Sequence, residues 1–236
     1  MVEATSKHGR VHNAEGAREA ILNAAETVFS EHGFDGARID SIANASSYNS
    51  GLIFHYFSDK LSLYAEVIKR ADREMSVLQA RTLAPLLGNK INYSTPARFR
   101  ALLKQIVATN FDYLVEHPRF TRILIWEQAA GWQTFSMIYS QFETDYSDQF
   151  EELFRTAYNT GLLRFDFAPL IQLSMVLQVC MTFLTFIPLY RIALPSGEDL
   201  FSPAASKPAR MYIIDFVVHA MMIDFPEQIE WIAEGE

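Results

Sequence analysis

Between residues 39 and 60 the chain reads IDSIANASSYNSGLIFHYFSDK, and Ser47, Asn49, Ser50, Leu52, His55 and Tyr56 fall within one short helix-turn-helix pattern. Serine, asparagine, histidine and tyrosine carry hydrogen-bonding groups that can reach base edges in a major groove. For that chemistry a first helix must brace a second across a tight turn, with small apolar residues packed between them. Ile42, Ala43, Tyr48, Ile53 and Phe57 have the spacing of such an inner face. Two features run against the pattern: serines 46 and 47 occupy the turn where glycine is expected, and Lys60 is the only basic residue in the stretch.

The elements that must position this motif are also legible. REAILNAAETVFSEH, residues 18 to 32, puts Ile21, Leu22, Ala25, Val28 and Phe29 on one helical stripe, which Gly33 should stop. A second helix is expected over 39–45. A third runs from an Asn49 cap to about Phe57, and a fourth begins after a Ser58 or Asp59 cap and runs toward Pro85. The segment LLGNKINYSTP, residues 86 to 96, reads as a loop. Beyond it helices are expected at 97–116, 118–129, 132–160, 167–193 and 207–224, broken at His117-Pro118, Gly131, Gly161 and LPSGEDLFSP. With no run of strand alternation the expected fold class is all-α, a three-helix N-terminal domain followed by a larger helical domain.

Composition limits what the molecule can do. A chain of 236 residues, half of them hydrophobic, can bury a substantial core. Its formal charge of -8 argues against a protein that coats nucleic acid nonspecifically, while leaving room for a local DNA-reading surface. One cysteine, Cys180, excludes an internal disulfide and a cysteine-based zinc site, which suits a cytoplasmic setting. No cofactor and no metal are expected. Residues 170–194 form an apolar stretch, but Gln172, Ser174, Gln178, Thr182 and Thr185 interrupt it and neither flank is basic. It reads as a bundle or dimer helix, with no membrane partner.

Residues 18–68 resemble the N-terminal domain of the TetR family of bacterial transcriptional regulators. The resemblance lies in ILNAAETVFSEHGFDGARIDSIA and NSGLIFHYFSDKLSLYAEVI: an apolar helix with a Gly-aromatic stop, an Ile-Ala pair, then Gly, an aromatic, His-Tyr-Phe and Lys. It implies that Asn49, Ser50, Gly51, His55 and Tyr56 lie on a recognition helix and that Lys60 touches phosphate. Three departures from the family pattern stand out. Ser47 replaces the turn glycine, Leu52 replaces a threonine, and Phe54 replaces a tyrosine. Leu52 and Phe54 could meet thymine methyl groups instead. A core position is an equally good reading for Phe54 and a poorer one for Leu52. The first 70 residues hold seven basic and nine acidic residues, so phosphate contacts must be few and well placed, with Lys7, Arg10, Arg38 and Lys60 as the candidates.

The domains expected are a mobile arm over 1–17, the helix-turn-helix domain over 18–68, and a ligand-binding and dimerisation domain over 69–236. Large apolar and aromatic residues in the last suggest an apolar or aromatic effector, with Trp126, Gln128, Tyr139, Phe142, Gln178, Thr182, Phe183, Phe186 and Tyr190 as lining candidates. The last two helices are expected to form a two-fold homodimer interface. Asp145, Asp148 and Glu152 share a helical face that reads as solvated rather than cation-binding. The resemblance thus implies a repressor released from a palindromic operator, the double-stranded DNA partner, by a small molecule. The alternative, a helical carrier or enzyme whose first domain only packs, has no Ser-His-Asp, Cys-His or glycine-rich phosphate motif behind it.

Overall fold

The computed structural model describes residues 4–87, 95–142, 145–193 and 203–223, and these are helices and their connections. In chain order they are α1 (Ala4–Gly36), α2 (Ile39–Ser46), α3 (Ser50–Tyr56), α4 (Lys60–Leu87), α5 (Pro96–Glu116), α6 (Pro118–Ala129), α7 (Gln133–Ile138), α8 (Asp145–Asn159), α9 (Pro169–Ala193) and α10 (Pro203–Met221). A 3-10 turn, Tyr139–Gln141, follows α7. The all-α expectation is met. The chain divides into two compact units, the first made of Met1–Leu78 with Tyr113–Glu143 and the second of Gln79–Asp112 with Thr144–Glu236.

The first unit takes in more of the chain than residues 18–68, because residues after 112 complete its core. Ile21, Leu22 and Phe29 of α1, Ile42 of α2, Ile53 of α3 and Leu63 of α4 are joined there by Ile123 of α6 and Ile138 of α7. Sequence periodicity locates each apolar stripe but not the stripe it will meet. Helical backbone also extends back to Ala4 through the segment expected as an arm, and the side chains of Lys7 and Arg10 lie outside the described residues.

Gly33 stops the first helical stripe as expected, with φ 67° and ψ -178°, inside a span whose two helical parts it separates. A Cβ at this position would stand 3.0 to 3.2 Å from the Trp126 indole, whose Nε1 donates to the Ser30 carbonyl at 3.2 Å. That backbone conformation is open to glycine almost alone, and the indole leaves no room beside it. Gly33→Ala is therefore expected to destabilise the first unit by about 2 kcal/mol, read as a lowered urea midpoint with an unchanged slope.

The expected single helix 132–160 is a correction. It is two helices, α7 and α8, with the 3-10 turn after the first. Phe142 adopts an extended conformation and folds back so that its ring lies 5.4 Å from that of Phe135. No glycine or proline marks the break, which is why the sequence hides it. The breaks at His117, Gly131 and Gly161 fall where expected. The loop 86–96 lies largely outside the described residues, as do most of LPSGEDLFSP and the side chains of Asp145 and Asp148.

In the second unit Phe99, Leu103 and Val107 of α5 are buried, as are Phe154 of α8, Val176 and Cys180 of α9, and Ile213 and Val218 of α10. Leu163, after α8, pairs antiparallel with Met222 beyond α10. Arg164 N–H donates to Met221 O at 3.0 Å and Ile223 N–H to Leu162 O at 3.1 Å, so the ends of these elements are tied backbone to backbone. Arg210 makes a bidentate pair with Asp112, at 2.6 and 2.7 Å. Burial pushes the Cys180 thiol up to about 12, so it is an inert core group at neutral pH. The apolar α9 is long enough to cross a membrane by length and composition, yet only 22% of its most apolar stretch is buried. Leu170, Ile171, Met175, Phe186, Leu189 and Ile192 of α9 are exposed, as are Met211, Tyr212 and Phe216 of α10.

Candidate DNA-binding surface

The turn between α2 and α3 closes through Ser47, which sits in the left-handed region at φ 61°, ψ 23°. Tyr48 N–H donates to Ala43 O at 3.2 Å, which satisfies a carbonyl at the end of α2. Serine holds this conformation at a cost that glycine avoids. Ser47→Gly is expected to raise stability by about 1 kcal/mol, visible as a higher urea midpoint.

Two side-chain bonds then set the start of α3. Asn49 Oδ1 accepts the Leu52 N–H at 2.8 Å, the cap that the sequence predicts. Ser50 Oγ donates to Asp40 Oδ1 at 3.0 Å, linking α3 back to α2. Gly51 is exposed, and a Cβ there would stand 3.2 Å from Asn49 Oδ1, so the cap itself favours glycine. Ile53 and Phe57 point into the core at 1% and 2% exposure. The opposite side of α3, with Gly51, Phe54 and His55, faces solvent, and Ser47 and Asn49 just before it are exposed as well.

Leu52 is less open than the sequence favours, and Phe54, for which spacing left both readings open, lies on the outer side. Phe54 is 48% exposed, whereas Leu52 is partly buried against the first unit's core, as are Tyr48 and Tyr56. The two residues stand about 100° to either side of Ile53 around the helix, so spacing could not choose between them. The packing of the neighbouring elements does.

Lys60 is committed within the protein. Its Nζ donates to Phe34 O at 2.9 Å and to Ala37 O at 3.2 Å, and it lies 4.4 Å from the Phe34 ring centroid. It ties the start of α4 to the link before α2, leaving one N–H for an outside acceptor. Asp59 caps α4 by accepting the Ser62 N–H at 2.6 Å, and hydrogen bonds from Ser62 hold its carboxyl below the usual range. Arg38 is exposed just before α2 and makes no ion pair among the described residues. Arg18, by contrast, is paired with Glu66 at 2.6 Å and lies over the Phe57 ring, and Arg70 is held by Glu26 and Asn23. Among the described residues, the positive charge free to meet phosphate is thus small.

The effector candidates divide between the two units. Trp126, Gln128, Tyr139 and Phe142 belong to the first unit, where Trp126 covers Gly33 and Phe142 packs on Phe135. Gln178, Thr182, Phe183, Phe186 and Tyr190 belong to α9 in the second unit. There Phe183 packs against Phe111 and Tyr190, and Gln178 Nε2 donates to Thr182 Oγ1 at 3.3 Å. A groove of about 350 Å³ in the first unit is lined by Glu19, Arg70, Glu74, Tyr113 and His117 among others. Another of about 540 Å³ in the second is lined by Lys104, Gln105, Arg210 and Tyr212 among others. None of the nine candidates lines either.

A residue that the sequence reading did not single out is Glu127. Its carboxylate is 3% exposed, accepting the Tyr64 hydroxyl at 2.6 Å and the Phe135 N–H at 3.0 Å. Burial and this carboxylate push the Tyr64 hydroxyl well above the ordinary tyrosine range. An acidic residue amid the apolar stripe of Ile123 and Leu124 is the signal that could have found it.

A braced α2, a tight left-handed turn and a capped α3 with an exposed face define a helix-turn-helix domain, joined to a second helical unit. Residues 21–67 match the profile of bacterial regulatory proteins of the tetR family, and residues 100–217 match the tetracyclin repressor-like C-terminal domain. The chain belongs to the TetR family. It is 32% identical over 124 residues to the HTH-type transcriptional repressor NicS of Pseudomonas putida, covering 52% of this chain and 54% of that one. With the HTH-type transcriptional regulator RutR of Escherichia coli it shares 28% over 130 residues, 55% of each chain. The chain therefore spans about half the length of the curated relatives it matches. The same fold occurs in the fatty acid degradation regulator FadR of Bacillus halodurans, with a TM-score of 0.58 at 14% identity over 86% of this chain and 95% of that one. A HlyIIR mutant carrying a linker gives 0.58 at 20% identity over 91% and 99%.

Proposed function

We propose that this protein is a cytoplasmic homodimeric transcriptional repressor that binds a palindromic operator and is released by a small apolar or aromatic molecule. The observation that carries the reading is α3 itself: capped by Asn49, anchored by Ile53 and Phe57, and open to solvent along the side bearing Gly51, Phe54 and His55. Two such helices in a two-fold dimer would enter successive major grooves, with Arg38 and the remaining Lys60 donor at the phosphates. The names of the relatives, repressor and regulator, support the same class.

The helix-turn-helix domain proper is residues 18–68, with effector and dimer contacts carried by residues 69–236. Effector contact is assigned to the α9 group, Gln178, Thr182, Phe183, Phe186 and Tyr190, where aromatic rings and two polar side chains share one helix. The effector must bind the form that does not fit the operator more tightly than the form that does. Selection of bound duplexes from a random pool by the full chain at moderate salt tests the reading. Enrichment of a palindrome is expected. A folded, soluble dimer that enriches no sequence would refute it.

A further inference from the structure

We infer that Phe54 reads operator sequence by apolar contact with the C5-methyl group of thymine. This rests on the DNA-binding reading above and says which side chain on that surface discriminates.

Several hydrogen-bonding groups of the surface are engaged inside the protein, while Ser47, Asn49 and His55 remain exposed beside them. The Ser50 hydroxyl hydrogen goes to Asp40, Asn49 Oδ1 goes to the Leu52 N–H, and Lys60 Nζ holds two backbone carbonyls. On α3 itself Phe54 is the large side chain left outside, 48% exposed, beside the exposed Gly51 and His55. Leu52 cannot share the task fully because it is partly buried on the core. Gly51, lacking a side chain, lets the backbone approach a groove wall closely. A benzyl group offers neither donor nor acceptor, so a phosphate oxygen or a polar base edge gains nothing from it. The major groove presents one apolar feature, the thymine methyl. Contact there removes apolar surface from water on both partners.

The test uses the full chain and the duplex recovered by selection, resynthesised with deoxyuridine in place of each thymidine in turn. That exchange removes the methyl and leaves the pairing intact. At one thymine per half-site, affinity is expected to fall about fourfold, and about fifteen-fold when both half-sites are changed. In Phe54→Ala the penalty should vanish while the salt slope stays the same, since no phosphate contact is lost. Phe54→Leu should keep part of the methyl preference, and circular dichroism checks that both variants fold. A wild-type protein indifferent to every methyl, or a penalty that persists in Phe54→Ala, overturns the inference and leaves the regulator reading standing. A pool that yields no bound duplex overturns the regulator reading and this inference with it.

Discussion

Replacing Glu127 with alanine is expected to destabilise the first unit by about 4 kcal/mol. The carboxylate is buried and accepts two hydrogen bonds, one from the Tyr64 hydroxyl on α4 and one from the Phe135 N–H on α7. Removing it leaves a buried hydroxyl and a part-buried backbone N–H without an acceptor, each worth roughly 1–3 kcal/mol when desolvated and unpaired. Tyr64 has no easy escape. Its ring is packed edge-on against Phe29 and Phe34, with centroids 4.9 and 5.2 Å away, so the hydroxyl cannot swing out to water. Tyr64→Phe should cost less, about 2 kcal/mol, because Glu127 then keeps the Phe135 bond. Glu127→Gln is the conservative control: its amide can accept from Phe135 N–H and donate to the Tyr64 oxygen. Urea unfolding followed by tryptophan fluorescence measures all three, since Trp126 lies against Gly33 in the same unit. Equal midpoints for Glu127→Ala and Glu127→Gln would show that the hydrogen bonds are not what the carboxylate contributes.

For the dimeric repressor proposed above, charge placed on the exposed face of α9 and α10 is expected to abolish dimerisation and reduce operator affinity by at least about a hundredfold. In the single chain Met175 is 60% exposed and Phe216 is 53% exposed, and Leu170, Ile192 and Tyr212 more so. Apolar surface of this extent on two helices is normally covered by a partner, and an isologous four-helix arrangement covers the same patch on both copies. Met175→Asp combined with Phe216→Asp would bury unpaired carboxylates at that contact. Both side chains point away from the second unit's core, so the variant should still fold. Once dimerisation fails, each half-site is bound alone and the gain from linked binding disappears. Analytical ultracentrifugation reads the first effect and a band-shift titration the second. A variant that stays dimeric would move the interface elsewhere.

What the sequence determined by itself is what depends on neighbours along the chain. The Gly33 stop, the Asn49 and Asp59 caps, the left-handed turn at Ser47 and the breaks at His117 and Gly131 all arise within a few residues, where cap chemistry and backbone conformation decide the outcome. The inward stripe of α3 was legible for the same reason, since helical spacing places Ile53 and Phe57 together. What the tertiary structure decided is where a side chain goes when spacing leaves it on the flank of a helix. Leu52 was the stronger candidate for the outer face and Phe54 an even one, until the surrounding elements partly covered Leu52 and left Phe54 half-exposed. Lys60 carries the charge of a phosphate ligand, yet two carbonyls 26 and 23 residues back along the chain claim most of its donors. Trp126, a ligand-contact candidate, also packs beside a glycine that lies far from it in sequence. Glu127 and Tyr64, 63 positions apart, meet only because α4 and α6 share a core. Contacts of that reach depend on which stripe packs against which, and periodicity along one helix carries no information about the partner.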